Sequence, residues 1–147
     1  MSLALPGAES YVFPQPGLTL FGGIRDAAPD AWGRRVIEAR VKAEANGLPE
    51  STYLLAAGSN RVGALDIRAT LDAPPHSVAG AVLQLQGLLD AAEAVEAGRP
   101  VPEELAALLG AGVSLGGARP KAAVVDDAGV GWVAKFPSRT DRYSVTA

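Results

Sequence analysis

Residues 110–137 read GAGVSLGGARPKAAVVDDAGVGWVAKFP, a glycine-rich loop followed by two short apolar segments. The segments at 121–126 and 131–136 have the length and the valine content that are typical of β-strands. The Asp-Ala-Gly sequence at 127–129 separates them and predicts a tight turn. This stretch therefore predicts a β-hairpin whose second strand carries Lys135.

The loop before the hairpin has a composition that suits phosphate binding. Its glycines let backbone amides approach phosphate oxygens without interference from a Cβ atom, and they are Gly110, Gly112, Gly116 and Gly117. A lysine on a neighbouring strand, such as Lys135, can place a positive charge near the same oxygens. The spacing differs from the kinase pattern Gly-x-Gly-x-x-Gly-x-Val and from a P-loop, which ends in Gly-Lys-Ser/Thr. A hairpin that binds no ligand therefore stays open as the alternative.

The composition sets limits on the class of protein. A chain of 147 residues with 48% hydrophobic and 20% charged residues has the size and core content of one globular domain, or of a piece of a larger one. Its net charge of −3 argues against direct nucleic-acid binding. The absence of cysteine excludes disulfides and thiolate metal sites, and the single histidine, His76, argues against a zinc centre. We expect a cytoplasmic protein, since the sequence contains neither a spanning apolar run nor a signal peptide.

The first half of the chain predicts two helices and a strand. In residues 21–47, Asp30 is the expected N-cap and Gly47 the expected end of a helix. The apolar face of this helix follows helical spacing and consists of Trp32, Val36, Ala39 and Ala43. A shorter helix is predicted over residues 48–58 and a strand over residues 61–68.

The longest predicted helix covers residues 77–97, with Ser77 as its N-cap and Gly98 as its end. Its apolar stripe consists of Val78, Val82, Leu85, Leu89, Ala92 and Val95. A short helix from Pro102 to Leu109 then leads the chain into the glycine-rich loop. Together these elements predict an α+β fold in which several helices accompany a small antiparallel sheet.

Four motifs, taken together, resemble the HipA family of serine/threonine-protein kinase toxins from bacterial type II toxin–antitoxin systems. They are FGGIRDAAPDAWGRR at 21–35, RVGAL at 61–65, VSLGGARPK at 113–121 and WVAKFP at 132–137. They occur in the order found in the family and cover most of residues 21–142. The resemblance implies a HipA-like, protein-kinase-like fold and an activity that transfers phosphate from ATP to a protein substrate.

The resemblance also implies an ATP site, with Mg²⁺ accompanying the nucleotide. It implies that Lys135 contacts the phosphates and that a loop covers the nucleotide, formed by Ser114, Leu115, Gly116, Gly117 and Ala118. In the family, a serine of this loop is an autophosphorylation site whose modification expels the loop and silences the enzyme. Ser114 occupies the matching position, and a phosphate dianion there would compete with ATP.

The sequence departs from a complete kinase after Lys135. Kinases place the catalytic Asp and the Mg²⁺-binding Asn and Asp in a larger lobe that follows the lysine strand, and residues 136–147 contain no such loop. We therefore expect an incomplete kinase fold with no catalytic residue and no metal ligand of its own. Residues 1–72 would be the end of a HipA N-terminal subdomain-like region and residues 73–147 a small-lobe-like segment. Whether the chain is an enzyme stays open, and alone it is expected to be inactive.

The expected partners are the missing kinase lobe, a HipB-like antitoxin, or both, together with a protein substrate. We expect no direct contact with nucleic acid or with a membrane. The alternative to a kinase portion is a stand-alone regulatory or antitoxin-like module that docks on a HipA-type kinase. An unrelated nucleotide-binding α+β domain is a third possibility. A carboxylate partner for Lys135 also stays open among three residues of the long predicted helix, Asp90, Glu93 and Glu96.

Overall fold

The computed structural model describes residues 13–59, 65–74, 81–82, 85–110, 113, 115, 117–139 and 141. Five helices and a small sheet are formed by these residues, and the two longest strands follow the last helix, which is consistent with the predicted α+β class. In chain order the elements are α1 (Gly22–Asp26), α2 (Ala31–Val41), α3 (Glu50–Ala56), β1 (Ala81–Val82), α4 (Leu85–Glu96), α5 (Glu103–Gly110), β2 (Lys121–Val125) and β3 (Gly131–Lys135).

The sheet has the order β1-β2-β3, and its main part is the predicted hairpin. β2 and β3 are antiparallel, with Lys121 opposite Lys135 and Val124 opposite Trp132. The Asp126 carboxylate organises the turn, because its Oδ1 accepts hydrogen bonds from the backbone N–H groups of Ala128, at 3.0 Å, and Val130, at 2.8 Å. Since directly paired residues share a face of the sheet, the two lysines lie on the same face.

Helix α2 begins as predicted but ends earlier. Asp30 is its N-cap and accepts a hydrogen bond from the Gly33 N–H at 2.9 Å. The predicted end at Gly47 is wrong, because Lys42 adopts a left-handed conformation, with φ of 57°, and closes the helix after Val41. α3 lies within the predicted range 48–58.

The longest predicted helix is wrong at its start. Ala81 and Val82 form β1, which pairs in parallel with Val124 and Val125, and the helix begins only at Leu85. Its buried face consists of Leu88, Ala91, Ala92 and Val95, which shifts the predicted stripe. Ser77 and Val78 lie outside the described residues. Residues 65–68 are not in a strand, and 61–64, the rest of that predicted strand, also lie outside the described part.

The core lies where α2, α4 and α5 pack together and α5 covers β2. Trp32, Leu88 and Leu109 are fully buried at its centre, and Ala122 and Val124 contribute the inner face of β2. The predicted boundary between residues 72 and 73 stays a prediction. Across the described residues, no helix is long and apolar enough to cross a membrane.

Candidate functional site

Both ends of the glycine-rich loop are attached to the first turn of α2. At the start of the loop, a Cβ atom on Gly33 would lie 2.5 Å from the carbonyl oxygen of Val113, so the two backbones are in direct contact. At its end, the indole N–H of Trp32 donates a hydrogen bond to the Lys121 carbonyl at 3.1 Å. Because Trp32 and Val113 are both buried, this contact positions the loop from the core outward.

Lys121 occupies the space beneath the loop. Its side chain is only 4% exposed, and its ammonium group donates a hydrogen bond to the Gly117 carbonyl and lies 3.5 Å from Asp30 Oδ2. Burial lowers the pKa of Lys121, the Asp30 carboxylate opposes that change, and the positive charge of Lys135 reinforces it. Gly117 has φ of +95°, a conformation that favours glycine and allows its carbonyl to accept this bond.

Lys135 lies opposite Lys121 on the same face of the sheet, but its environment differs. Its side chain is exposed, and none of the carboxylates that the structure describes lies within ion-pair distance of it. The hairpin thus carries two amines side by side, of which Lys121 is held by the loop and by Asp30. The Lys135 amine is the one available to an anionic ligand.

Among the three candidate carboxylates of α4, Glu96 has a different role. Its two oxygens accept hydrogen bonds from the Ser138 hydroxyl at 2.7 Å and from the Arg139 N–H at 2.9 Å. Arg35 lies 3.9 Å from the same carboxylate. Glu96 therefore attaches the segment that follows β3 to the end of α4, and no ion pair joins it to Lys135 in the part of the chain that is described.

The other predicted site residues are placed unevenly. Leu115 is half-buried, whereas Gly117 and Ala118 are exposed at the surface of the loop. Ser114 and Gly116 lie outside the described residues, so their predicted roles in ATP binding and autophosphorylation stay predictions. Sequence reasoning missed the contact between Asp30 and Lys121, although both residues stand in the motifs that suggested the site. Because the two residues are 91 positions apart, no local spacing in the sequence indicates the contact.

The charged groups that the structure describes at the hairpin are the amines of Lys121 and Lys135 and the Asp30 carboxylate. Within the described ranges, no group of three or more His, Asp or Glu residues could hold a metal ion. A groove of about 1050 Å³ runs between α2 and the end of α4, with Asp30 at its edge and Arg35, Glu38 and Arg99 in its walls. Neither lysine of the hairpin lines this groove. Phosphate chemistry therefore fits the hairpin face, where an exposed amine stands beside a glycine loop.

Comparison of the chain with protein-family models, curated proteins and solved structures gave no match. The functional inference accordingly rests on the residues and contacts of the chain itself.

Proposed function

We propose that this chain is the ATP-holding portion of a HipA-like serine/threonine-protein kinase of a toxin–antitoxin system, with a kinase-like small lobe. The observation that carries the proposal is the exposed Lys135 amine on the same sheet face as Lys121, next to the loop. Lys121 is already engaged by the Gly117 carbonyl and lies near Asp30. Among the residues that the structure describes, this arrangement leaves the Lys135 amine without an ion-pair partner at the place where the family resemblance expects the nucleotide phosphates.

The residues of the hairpin would act on ATP by charge and position. A lysine amine offers three hydrogen-bond donors and a compact positive charge, which suits the oxygens of a polyphosphate. Lys135 would hold these oxygens, and the exposed backbone at Gly117 and Ala118 would cover them. ATP would supply the transferable phosphoryl group, with its Mg²⁺ held by residues outside those described here.

Phosphoryl transfer needs more than this site provides. A kinase positions the attacking hydroxyl with an Asp and binds Mg²⁺ through an Asn and a second Asp. Among the described residues of this chain, no cluster of three or more His, Asp or Glu side chains could hold a metal ion. The chain by itself would therefore bind nucleotide without transferring phosphate. A cytoplasmic location, a HipB-like antitoxin, a protein substrate and the regulatory phosphorylation of Ser114 belong to the same proposal.

The test is ATP binding by the chain and by two matched variants. Lys135→Met removes the proposed phosphate contact and keeps most of the length of the side chain. Lys42→Met makes the same change at an exposed lysine that ends α2, away from the hairpin. Loss of a charge-assisted contact should weaken ATP binding about tenfold in the first variant, which corresponds to 1.4 kcal/mol, and leave the second unchanged.

Isothermal titration with ATP gives the affinities, and incubation with γ-labelled ATP tests for transfer. Equal ATP affinity in the two variants, or no binding by a folded wild-type chain, would refute the ATP site. Incorporation of label by the isolated chain would refute the absence of transfer.

A docking module for a HipA-type kinase is the second candidate, and the exposed edge of the sheet favours it. β3 is the last strand in the sheet order, and Val130, Trp132 and Val133 in and beside it are 50%, 59% and 50% exposed. Exposed apolar side chains on an edge strand are typical of a surface that another chain covers. A chain that binds no ATP but forms a stable complex with such a kinase would favour this function over the first.

A further inference from the structure

Asp30 has two carboxylate oxygens with different surroundings. Oδ1 accepts a hydrogen bond from the Gly33 N–H at 2.9 Å and caps α2. Oδ2 is buried and accepts no hydrogen bond from the residues that the structure describes. The Lys121 amine, 3.5 Å away, forms an ion pair with this oxygen. Since an unpaired buried carboxylate oxygen is costly, the arrangement depends on that amine.

Lys121 in turn connects Asp30 to the glycine-rich loop. Its amine donates to the Gly117 carbonyl, and its own carbonyl accepts from the Trp32 indole at 3.1 Å. The side chain of Lys121 thus contacts Asp30 and the loop, and its backbone carbonyl contacts the first turn of α2. Displacing Lys121 would release the contact that holds Gly117.

The direction of the Gly117 carbonyl matters for a phosphate ligand. A carbonyl oxygen repels phosphate oxygens, because both carry negative charge. The Lys121 amine donates a hydrogen bond to this carbonyl, and its positive charge offsets part of that repulsion. Lys121 and Lys135 lie opposite each other on β2 and β3, so their positive charges repel. The Asp30 carboxylate offsets this repulsion.

We propose that Asp30 is a positioning residue that, through Lys121, holds Gly117 at the end of the glycine-rich loop beside Lys135, so that this end of the loop can receive phosphate. This inference rests on the proposed ATP site. It assigns to the cap of a distant helix a role in nucleotide binding, and the resemblance of the hairpin motifs does not itself suggest that role.

The test uses Asp30→Asn in the full chain, because asparagine is as good an N-cap as aspartate but carries no charge for Lys121. Glu50→Gln is the matched control, since it removes the charge of a carboxylate that forms an ion pair of 2.5 Å between α3 and Arg34 of α2. The chain contains no cysteine, so a nitroxide label on Ala118→Cys reports the motion of the loop alone. ATP affinity is measured separately on the unlabelled variants.

The expected result is a shift of the label spectrum towards free motion in Asp30→Asn and no shift in Glu50→Gln. ATP binding should weaken about tenfold in Asp30→Asn, which equals 1.4 kcal/mol. An unchanged spectrum in Asp30→Asn would overturn the inference. A mobile loop with undiminished ATP affinity would also overturn it and leave the ATP site standing. A mobile loop in a chain that never binds ATP would keep the loop contact and refute the proposed function instead.

Lys121→Met provides a second test of the same contact in case Asp30→Asn does not fold. It removes the amine from the middle of the contact and leaves the N-cap intact. The label should become equally mobile, and adding Asp30→Asn to it should produce no further shift, because both changes break the same contact. Additive shifts in the double variant would show that Asp30 acts on the loop by another route and would overturn the inference.

Discussion

Replacing Gly33 by alanine tests the contact between α2 and the start of the loop. Gly33 lies in the first turn of α2 and is buried against Val113. A Cβ atom there would meet the Val113 carbonyl oxygen at 2.5 Å and both the Val113 Cγ1 and the Pro29 Cβ atoms at 2.9 Å. Real Cβ atoms do not approach other atoms so closely, so the loop or the helix must move.

Two effects of opposite sign decide the magnitude. Alanine in place of glycine favours a helix interior by about 1 kcal/mol. Forcing a methyl group into a filled site costs roughly 1–3 kcal/mol, and the upper end applies because the nearest obstacle is a backbone carbonyl. The net result for Gly33→Ala is a destabilisation of about 2 kcal/mol, which lowers the Tm of a chain of this length by roughly 6 °C.

Gly87→Ala in α4 is the matched control, because its Cβ would meet only Leu105 Cδ2, at an ordinary 3.7 Å. This variant should gain stability, by about 1 kcal/mol, from helix propensity alone. Urea denaturation followed by circular dichroism measures the free energy of unfolding of both variants. The reasoning fails if Gly33→Ala is as stable as the wild type, or if the two substitutions change stability in the same direction.

Two further predictions concern titratable groups. The buried Tyr53 hydroxyl donates to Glu38 Oε1 at 2.5 Å, so Tyr53→Phe should cost about 1–2 kcal/mol in urea denaturation at neutral pH. Burial, helped by Glu38, raises the pKa of Tyr53; this stabilisation is therefore present below pH 10 and lost as the pH rises further, a loss that Tyr53→Phe should not show. Hydrogen bonds from the Trp132 indole and from backbone amides lower the pKa of Asp126 below 3.8. The free energy of unfolding should thus fall as the pH drops through 3.8 and below, and Asp126→Asn should flatten that part of the pH profile. An equal acid dependence in the wild type and in Asp126→Asn would contradict this prediction.

The hairpin and the start of α2 were predictable because their signals are local. Aspartate at a turn, a glycine with positive φ at position 129 and valines on either side specify β2, the turn and β3 within 15 residues. Asp30 was recognisable as a cap because the bond that it forms with Gly33 spans only three positions.

The errors occurred where distant residues decide the structure. Ala81 and Val82 follow a helical pattern, but pairing with Val124 and Val125 makes them a strand. The end of α2 was placed at a glycine, whereas Lys42 takes the left-handed conformation itself. The contact between Asp30 and Lys121 could not be predicted, because it depends on how α2 packs against the sheet. Propensity and motif spacing carry no information on such packing.

No carboxylate lies beside Lys135 in the described part of the chain, and this has one favourable and one unfavourable effect on ATP binding at the proposed site. Protein kinases hold their ATP-binding lysine in an ion pair with a helix glutamate, whereas in this chain Glu96 of α4 binds Ser138 and Arg139. With no carboxylate partner among the described residues, the Lys135 amine is accessible to phosphate, but its side chain must be ordered when the ligand binds, at a cost of up to about 2 kcal/mol. Glu96 attaches Ser138 and Arg139 to α4, which does not reduce the rotamer entropy of the Lys135 side chain, so bound ATP would itself have to order that side chain.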